Sequence, residues 1–177
     1  LIIFKKFTGT SDWPVYSSAL TDASYNLYLN KADAQVQNNN PFNGTAPTDT
    51  VFTVEQNAGN VNDNGQDIIA YCFADVTSYQ QIGSYAGNTV TNPSITTGFS
   101  PSFVVIKELN GTNPWVAIDS ARSPSNPASC RLRLNATDAE YCNSAEAINR
   151  SGTGFEVASN WDGMNGNSKT YLYWAIK

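Results

Sequence analysis

The chain has 177 residues, a formal charge of −5 and only 14% charged side chains. Asn, Ser, Thr and Gly fill that shortfall, so the surface is polar but weakly charged. Without a Lys/Arg run or a long apolar stretch, composition argues against nucleic-acid binding and against membrane insertion by a helix.

Leu1–Leu20 aligns without gaps on Phe103–Arg122, an offset of 102. Lys5/Lys107, Gly9/Gly111, Thr10/Thr112, Trp13/Trp115, Ser18/Ser120 and Ala19/Ala121 are identical. Leu27–Asn30 answers Leu132–Asn135, Phe52–Val54 answers Phe155–Val157, and Ile68–Tyr71 answers Tyr171–Trp174. The small changes of offset fall at Gly/Asn/Ser-rich places, where insertions between fixed strands are tolerated. The reading is two tandem β repeats, residues 1–74 and 75–177, the second including an opening segment 75–102.

In chain order, Leu1–Phe7 is a β-branched and aromatic run ended by a Gly turn, with Trp13–Ser17 as its hairpin partner. Leu27 and Leu29 alternate with Tyr28 and Asn30, the period of a half-buried strand. Asn60–Gly65 has the opening spacing of a calcium loop but no acid at its twelfth position, Tyr71, so a hairpin turn at Asn64-Gly65 accounts for it. Phe52–Val54 and Asp67–Ala74 are further strands, and Cys72 is expected to be a buried small hydrophobe.

The same order then recurs. Ile82–Gly87 and Ser94–Pro101 each enter a turn, Phe103–Leu109 and Trp115–Asp119 form the second hairpin, and Leu132/Leu134 alternate with Arg131/Arg133. Cys130 shares the parity of Leu132 and should face the core. Ala139, Cys142 and Ala145 recur at spacing three, which predicts up to two helical turns within Ala136–Asn149. Phe155–Ala158 precedes the closing strand Thr170–Ile176. Both faces of the closing strands are apolar, which predicts burial on both sides. The fold class expected is all-β, two antiparallel β-sandwich or jelly-roll-like units. Leu1 opens inside a strand, and the first unit lacks an opening segment, so further strands upstream, or a partner at that sheet edge, are expected.

The order Gly83-Ser-Tyr-Ala-Gly-Asn88, Thr97–Lys107, Trp115, Asp119–Arg122, Leu132–Asn135, Gly154-Phe155 and Tyr171–Ala175 resembles a module repeated in tailed-phage tail fibres and virion surface proteins, notably of marine and cyanobacterial phages. The resemblance covers Gly83–Ile176 and, less its first strands, Leu1–Ala74. It implies a place on the virion exterior, other virion proteins and further copies of the chain as partners, and no catalytic residues.

The chain has no His, which excludes Ser-His-Asp and Cys-His catalysis within it. Asp119, Asp138, Glu140, Glu146, Glu156 and Asp162 are the acids a polysaccharide depolymerase would draw on, but no spacing selects a pair. No metal or cofactor is implied. Cys130 and Cys142 occur together in the second repeat alone, the pattern a short-loop disulfide would leave, with two free thiols as the alternative. Trp13 and Trp115 are kept by both copies and belong to the scaffold.

Trp161 is aligned with Ala58 of the first copy, and its loop joins an aromatic face to Asn160, Asp162 and Asn165, groups suited to a sugar. Packing against its own domain, or on a neighbour, is the competing expectation for that ring. Arg122, Arg131, Arg133 and Arg150 cluster in sequence; solvated surface charge is the plain expectation, with pairing to Asp119, Asp138 and Glu140, or an interface, as the alternatives. Sequons stand at Asn43, Asn110, Asn135 and Asn149 and matter only if the protein is made in a glycosylating host. The functional expectation is a non-enzymatic tail-fibre or tail-appendage component that contacts the host surface, with glycan binding as an added property. A capsid-decoration or other structural virion protein is the first alternative and a depolymerase the second.

Overall fold

The structure, a computed structural model, describes residues 1–38, 41–56 and 59–177. It is all-β, with several antiparallel sheets and one helical turn. A five-stranded sheet comes first, from β1 (Ile2–Lys6), β2 (Pro14–Tyr16), β3 (Tyr25–Tyr28), β4 (Val36–Gln37) and β5 (Ile68–Cys72), in the order β4-β3-β2-β1-β5.

The remaining strands are β6 (Gln80–Ala86), β7 (Ser94–Thr96), β8 (Phe103–Glu108), β9 (Val116–Asp119), β10 (Cys130–Arg133), β11 (Tyr141–Cys142), β12 (Glu146–Ser151), β13 (Gly154–Ser159) and β14 (Thr170–Ile176). The turn α1 (Asp162–Asn165) precedes β14. A six-stranded sheet runs β11-β10-β9-β8-β14-β6, and a three-stranded sheet runs β12-β13-β7.

Strand register repeats with the sequence. Val15 pairs with Leu27 as Ala117 pairs with Leu132. The β1/β5 pairs from Ile2↔Cys72 to Lys6↔Ile68 recur as Val104↔Ala175 to Glu108↔Tyr171 between β8 and β14. Even a side-chain detail returns. The Asn30 and Asn135 amide oxygens accept the backbone N–H of Trp13 and Trp115 at 2.9 and 2.8 Å.

The six-stranded sheet is covered on both faces. Val104, Ile106, Tyr171 and Tyr173 meet Ile95, Phe155 and Val157 of the three-stranded sheet. Val105, Trp115 and Leu172 meet Ile3, Val15 and Leu27 of the five-stranded sheet. The two-faced apolar pattern of Thr170–Ile176 is the direct consequence, since alternate side chains enter different cores. On the outer face of the first sheet, Ile2 and Phe4 pack against Phe42 and Val61 of the connection between β4 and β5. Among the described residues no helix is long and apolar enough to cross a membrane.

Five expectations fail. Burial on both sides holds for Thr170–Ile176 but not for the other closing strand, β5, which is half-buried to exposed at the end of its sheet. Cys72 is exposed, because it lies at the end of an edge strand. Phe52–Val54 forms no strand: among the described residues the first half has no counterpart of β7 or β12 to pair with it, and Phe52 packs edge-on against Phe4 at 5.5 Å. Ala136–Asn149 contains no helix. It supplies β11 and the start of β12, whose six pairs with β13 cross the Gly152–Thr153 turn. Cys130 is half-buried rather than in the core, and its neighbour Arg131 is the buried residue. In the first half Ala58, aligned with Trp161, lies outside the described residues.

Lys107 and Glu108 are both fully buried. The Lys107 ammonium donates to the carbonyls of Glu108 and Gly111 at 2.6 and 3.3 Å. Burial lowers its pKa to about 8, with Glu108 and Asp33 opposing the shift. The unfolded chain therefore binds a proton that the folded chain has released between about pH 8 and 10. Stability should rise with pH across that window. Burial pushes the Tyr171 hydroxyl up to about 12, so above about pH 10 the unfolded chain ionises first and stability should fall. Urea midpoints near pH 7.5, 9.5 and 11.5 check this, and Lys107→Met should flatten the first rise. A midpoint that drops between the first two values contradicts it.

Candidate functional site

An open cleft lies where β10 and β11 run past the edge of the three-stranded sheet. Arg131, Arg133, Asp138, Glu140, Tyr141, Glu146 and Trp161 line it, around about 520 Å³. Arg131 and Arg133 alternate with Leu132, so one face of β10 turns both guanidinium groups into the cleft while Leu132 faces the first sheet.

The Cys130–Cys142 disulfide joins β10 to β11 at a sequence separation of 12. Because Cys130 pairs with Cys142, Arg131 pairs with Tyr141, and the guanidinium carbon stands 4.7 Å from the Tyr141 ring centroid. Trp161 closes the other side at 4.3 Å. Arg131 is 3% exposed and ion-paired with Glu146 at the start of β12. Burial lowers its pKa, an effect that Glu146 opposes.

The rim is ionic. Arg133 pairs with Asp138 at 2.7 Å and lies 5.8 Å from the Trp161 ring. Arg122 bridges Asp119 and Glu140 at 3.1 and 3.2 Å. These are the pairings anticipated for the arginine cluster with Asp119, Asp138 and Glu140, together with an unanticipated one to Glu146. Arg150 instead binds the carbonyls of Ser123, Pro124 and Ser125. The sulfur atoms of Cys130 and Cys142 and a Glu140 oxygen lie within 4.8 Å of one another, but the sulfurs are bonded together and offer no thiolate to a metal. At the Asn60–Gly65 turn, Asp63 is taken by Lys6 at 2.7 Å.

The loop residues singled out with Trp161 part company. Trp161 lines the cleft, but it is half-buried and its ring covers Gly163, where a Cβ would come within 2.3 Å of it. Asn165 is buried and faces inward. Its amide donates to the Ser159 carbonyl at 2.7 Å, and its oxygen accepts the Asn88 N–H at 2.6 Å. Asn160 and Asp162 are exposed and do not line the cleft. Asp162 opens α1, and its carbonyl accepts the Tyr171 hydroxyl.

Sequence reasoning missed Tyr141, which is 50% exposed and leaves its ring open to solvent. The signal was present in the cysteines. A bridge between Cys130 and Cys142 on adjacent antiparallel strands forces residue 141 opposite residue 131.

Tyr141 offers an aromatic face, Arg133 offers N–H donors, and Asp138 and Glu140 offer acceptors in an accessible cleft. That set suits a ligand with alternating C–H faces and hydroxyl groups. No curated protein and no solved structure matches the chain. Residues 1–177 match a family described as a domain of unknown function, DUF7483, and the chain belongs to that family.

Proposed function

We propose that this protein is a non-enzymatic structural component of a virion exterior, of the tail-fibre or tail-appendage kind, that contacts the host surface by binding glycan in the Arg131 cleft. It is built from two tandem copies of one β module, 1–74 and 75–177, sharing a common core, the second copy completed as a sandwich by its three-stranded sheet. Its partners are other virion proteins and further copies of itself. The repeated strand register supports the duplication, and the order of sequence blocks supports the virion assignment. A disulfide fits an extracellular location.

The observation that carries the glycan reading is the buried Arg131 bracketed by Tyr141 and Trp161 in an open cleft rimmed by carboxylates. Tyr141 is the stacking face. Trp161 holds Arg131, and Arg131 orients Tyr141. Hydrolysis is less well supported, because it needs two carboxyl groups free to flank a scissile bond. Asp138, Glu140 and Glu146 each face a guanidinium instead.

Glycan-array binding tests the reading. The protein should retain a defined set of glycans, Tyr141→Ala should weaken binding about tenfold or more, and Trp161→Ala should weaken it by releasing Arg131. The wedging of Trp161 between Gly163 and Arg131 favours a second reading, a capsid-decoration or other structural virion protein without ligand recognition. An empty array together with binding to purified capsids would establish that one.

A further inference from the structure

Strand β5 ends its sheet. Its inner edge pairs with β1, and among the described residues no strand or backbone hydrogen bond meets its outer edge. The Phe73 N–H donates to the Leu1 carbonyl at 2.8 Å, and the Phe7 N–H donates to the Asp67 carbonyl at 3.0 Å. With that phase Ile69 and Tyr71 bond toward β1, while Ile68, Ala70 and Cys72 turn their N–H and C=O groups outward. The strand Ile-Ile-Ala-Tyr-Cys has no Lys, Pro or bulge of the kind that protects an edge. Tyr71 is 43% exposed and Cys72 is exposed.

The second half shows what the equivalent edge carries. By register β14 stands where β5 stands. Its outer edge is filled by β6, antiparallel, from Thr170↔Ala86 to Ile176↔Gln80. Tyr171, Tyr173 and Ala175, the counterparts of Ile68, Ala70 and Cys72, face that added strand. One difference sets the shape required of an occupant. In β6 the residue opposite Tyr173 is Gly83, where a Cβ would lie 2.7 Å from the tyrosine oxygen. In β5 the counterpart of Tyr173 is Ala70, so the opposing residue has room for a side chain. Beside Cys72 a cleft of about 290 Å³, lined by Leu1, Ile2, Thr50, Phe52 and Phe73, offers apolar surface for it.

We propose that β5 accepts, antiparallel, an extended strand from a further copy of this repeat, with the alternation of Gln80–Ala86 but a bulkier apolar residue in place of Gly83. Recognition is by backbone hydrogen bonds along the edge and by one side chain beside Ala70. It is independent of the glycan cleft, which lies on the other side of the central sheet.

A synthetic peptide spanning Tyr79–Gly87 with Gly83→Val, added to the intact protein, tests this. Binding should saturate and should slow amide exchange at Ile68, Ala70 and Cys72 at least tenfold. Ala70→Pro removes one outward N–H without touching the β1 ladder, and it should abolish the slowing while the protein stays folded. Tyr71→Lys, a surface change that charges the edge, should weaken peptide binding in the same way and serves if the proline variant does not fold. Absence of slowing at those three amides, or slowing that survives substitution in a folded protein, would overturn the proposal.

Discussion

Trp115→Ala is expected to destabilise the protein by about 3–5 kcal/mol, the range for emptying a large aromatic from a packed core. Trp115 is 2% exposed and packs with Ile3, Val15 and Leu27 of the first sheet as well as with its own sheet. Its indole N–H donates to the Tyr28 carbonyl at 2.9 Å, so the substitution also strands a carbonyl at the junction. The repeat-equivalent Trp13 is only partly buried, and Trp13→Ala should cost about half as much by the same rule. Because Trp115, just before β9, packs against residues of both sheets, hydrogen-exchange protection should fall together in β1–β3 and β8–β10. Urea unfolding measures the first effect. A loss below about 1.5 kcal/mol, or protection lost on one sheet alone, would contradict a shared core.

The second large effect is expected at the disulfide. Replacing Cys130 and Cys142 by Ser should lower stability by about 2–3 kcal/mol, from the freedom returned to the short loop in the unfolded chain. The functional consequence is more specific. Strand β11 is two residues long and lies at a sheet edge, with the disulfide as its covalent tie to β10. Freed from it, Tyr141 leaves Arg131 and the stacking face is lost. Glycan affinity should fall more than tenfold, and reductant should reproduce the loss in the unsubstituted protein while far-ultraviolet circular dichroism stays unchanged. Equal affinity with and without the disulfide would remove Tyr141 from the site.

The strands were legible wherever local pattern and repeat agreed. Leu1–Phe7, Phe103–Leu109 and the closing strands carry β-branched and aromatic residues, and each copy corroborates the other. Pattern misled where the deciding neighbour lies far away in sequence. Cys72 reads as buried because Ile68–Cys72 is apolar on both faces, yet exposure depends on whether another strand arrives at the edge. The Ala139/Cys142/Ala145 spacing suggests a helix, but β12 gains a partner across a short Ser-Gly-Thr-Gly turn, and that pairing overrides a weak local preference.

The cleft was half legible for the same reason. The arginine cluster and Trp161 were visible as separate features. Their meeting depends on β10, β11, β12 and the loop before α1 arriving together, and only the Cys130–Cys142 pairing foreshadowed part of it. Asn165 was misjudged because an amide in a polar loop looks available, whereas its hydrogen bonds to Ser159 and Asn88 fix that loop from inside.

The glycan cleft is most directly tested by following the indole N–H signals of Trp13, Trp115, Trp161 and Trp174 by nuclear magnetic resonance while a glycan identified on the array is titrated in. The Trp161 signal should shift saturably, with the Tyr141 ring signals moving in parallel and the buried Trp115 signal unmoved. A bound glycan that leaves Trp161 and Tyr141 unshifted would place recognition elsewhere on the molecule and contradict the assignment.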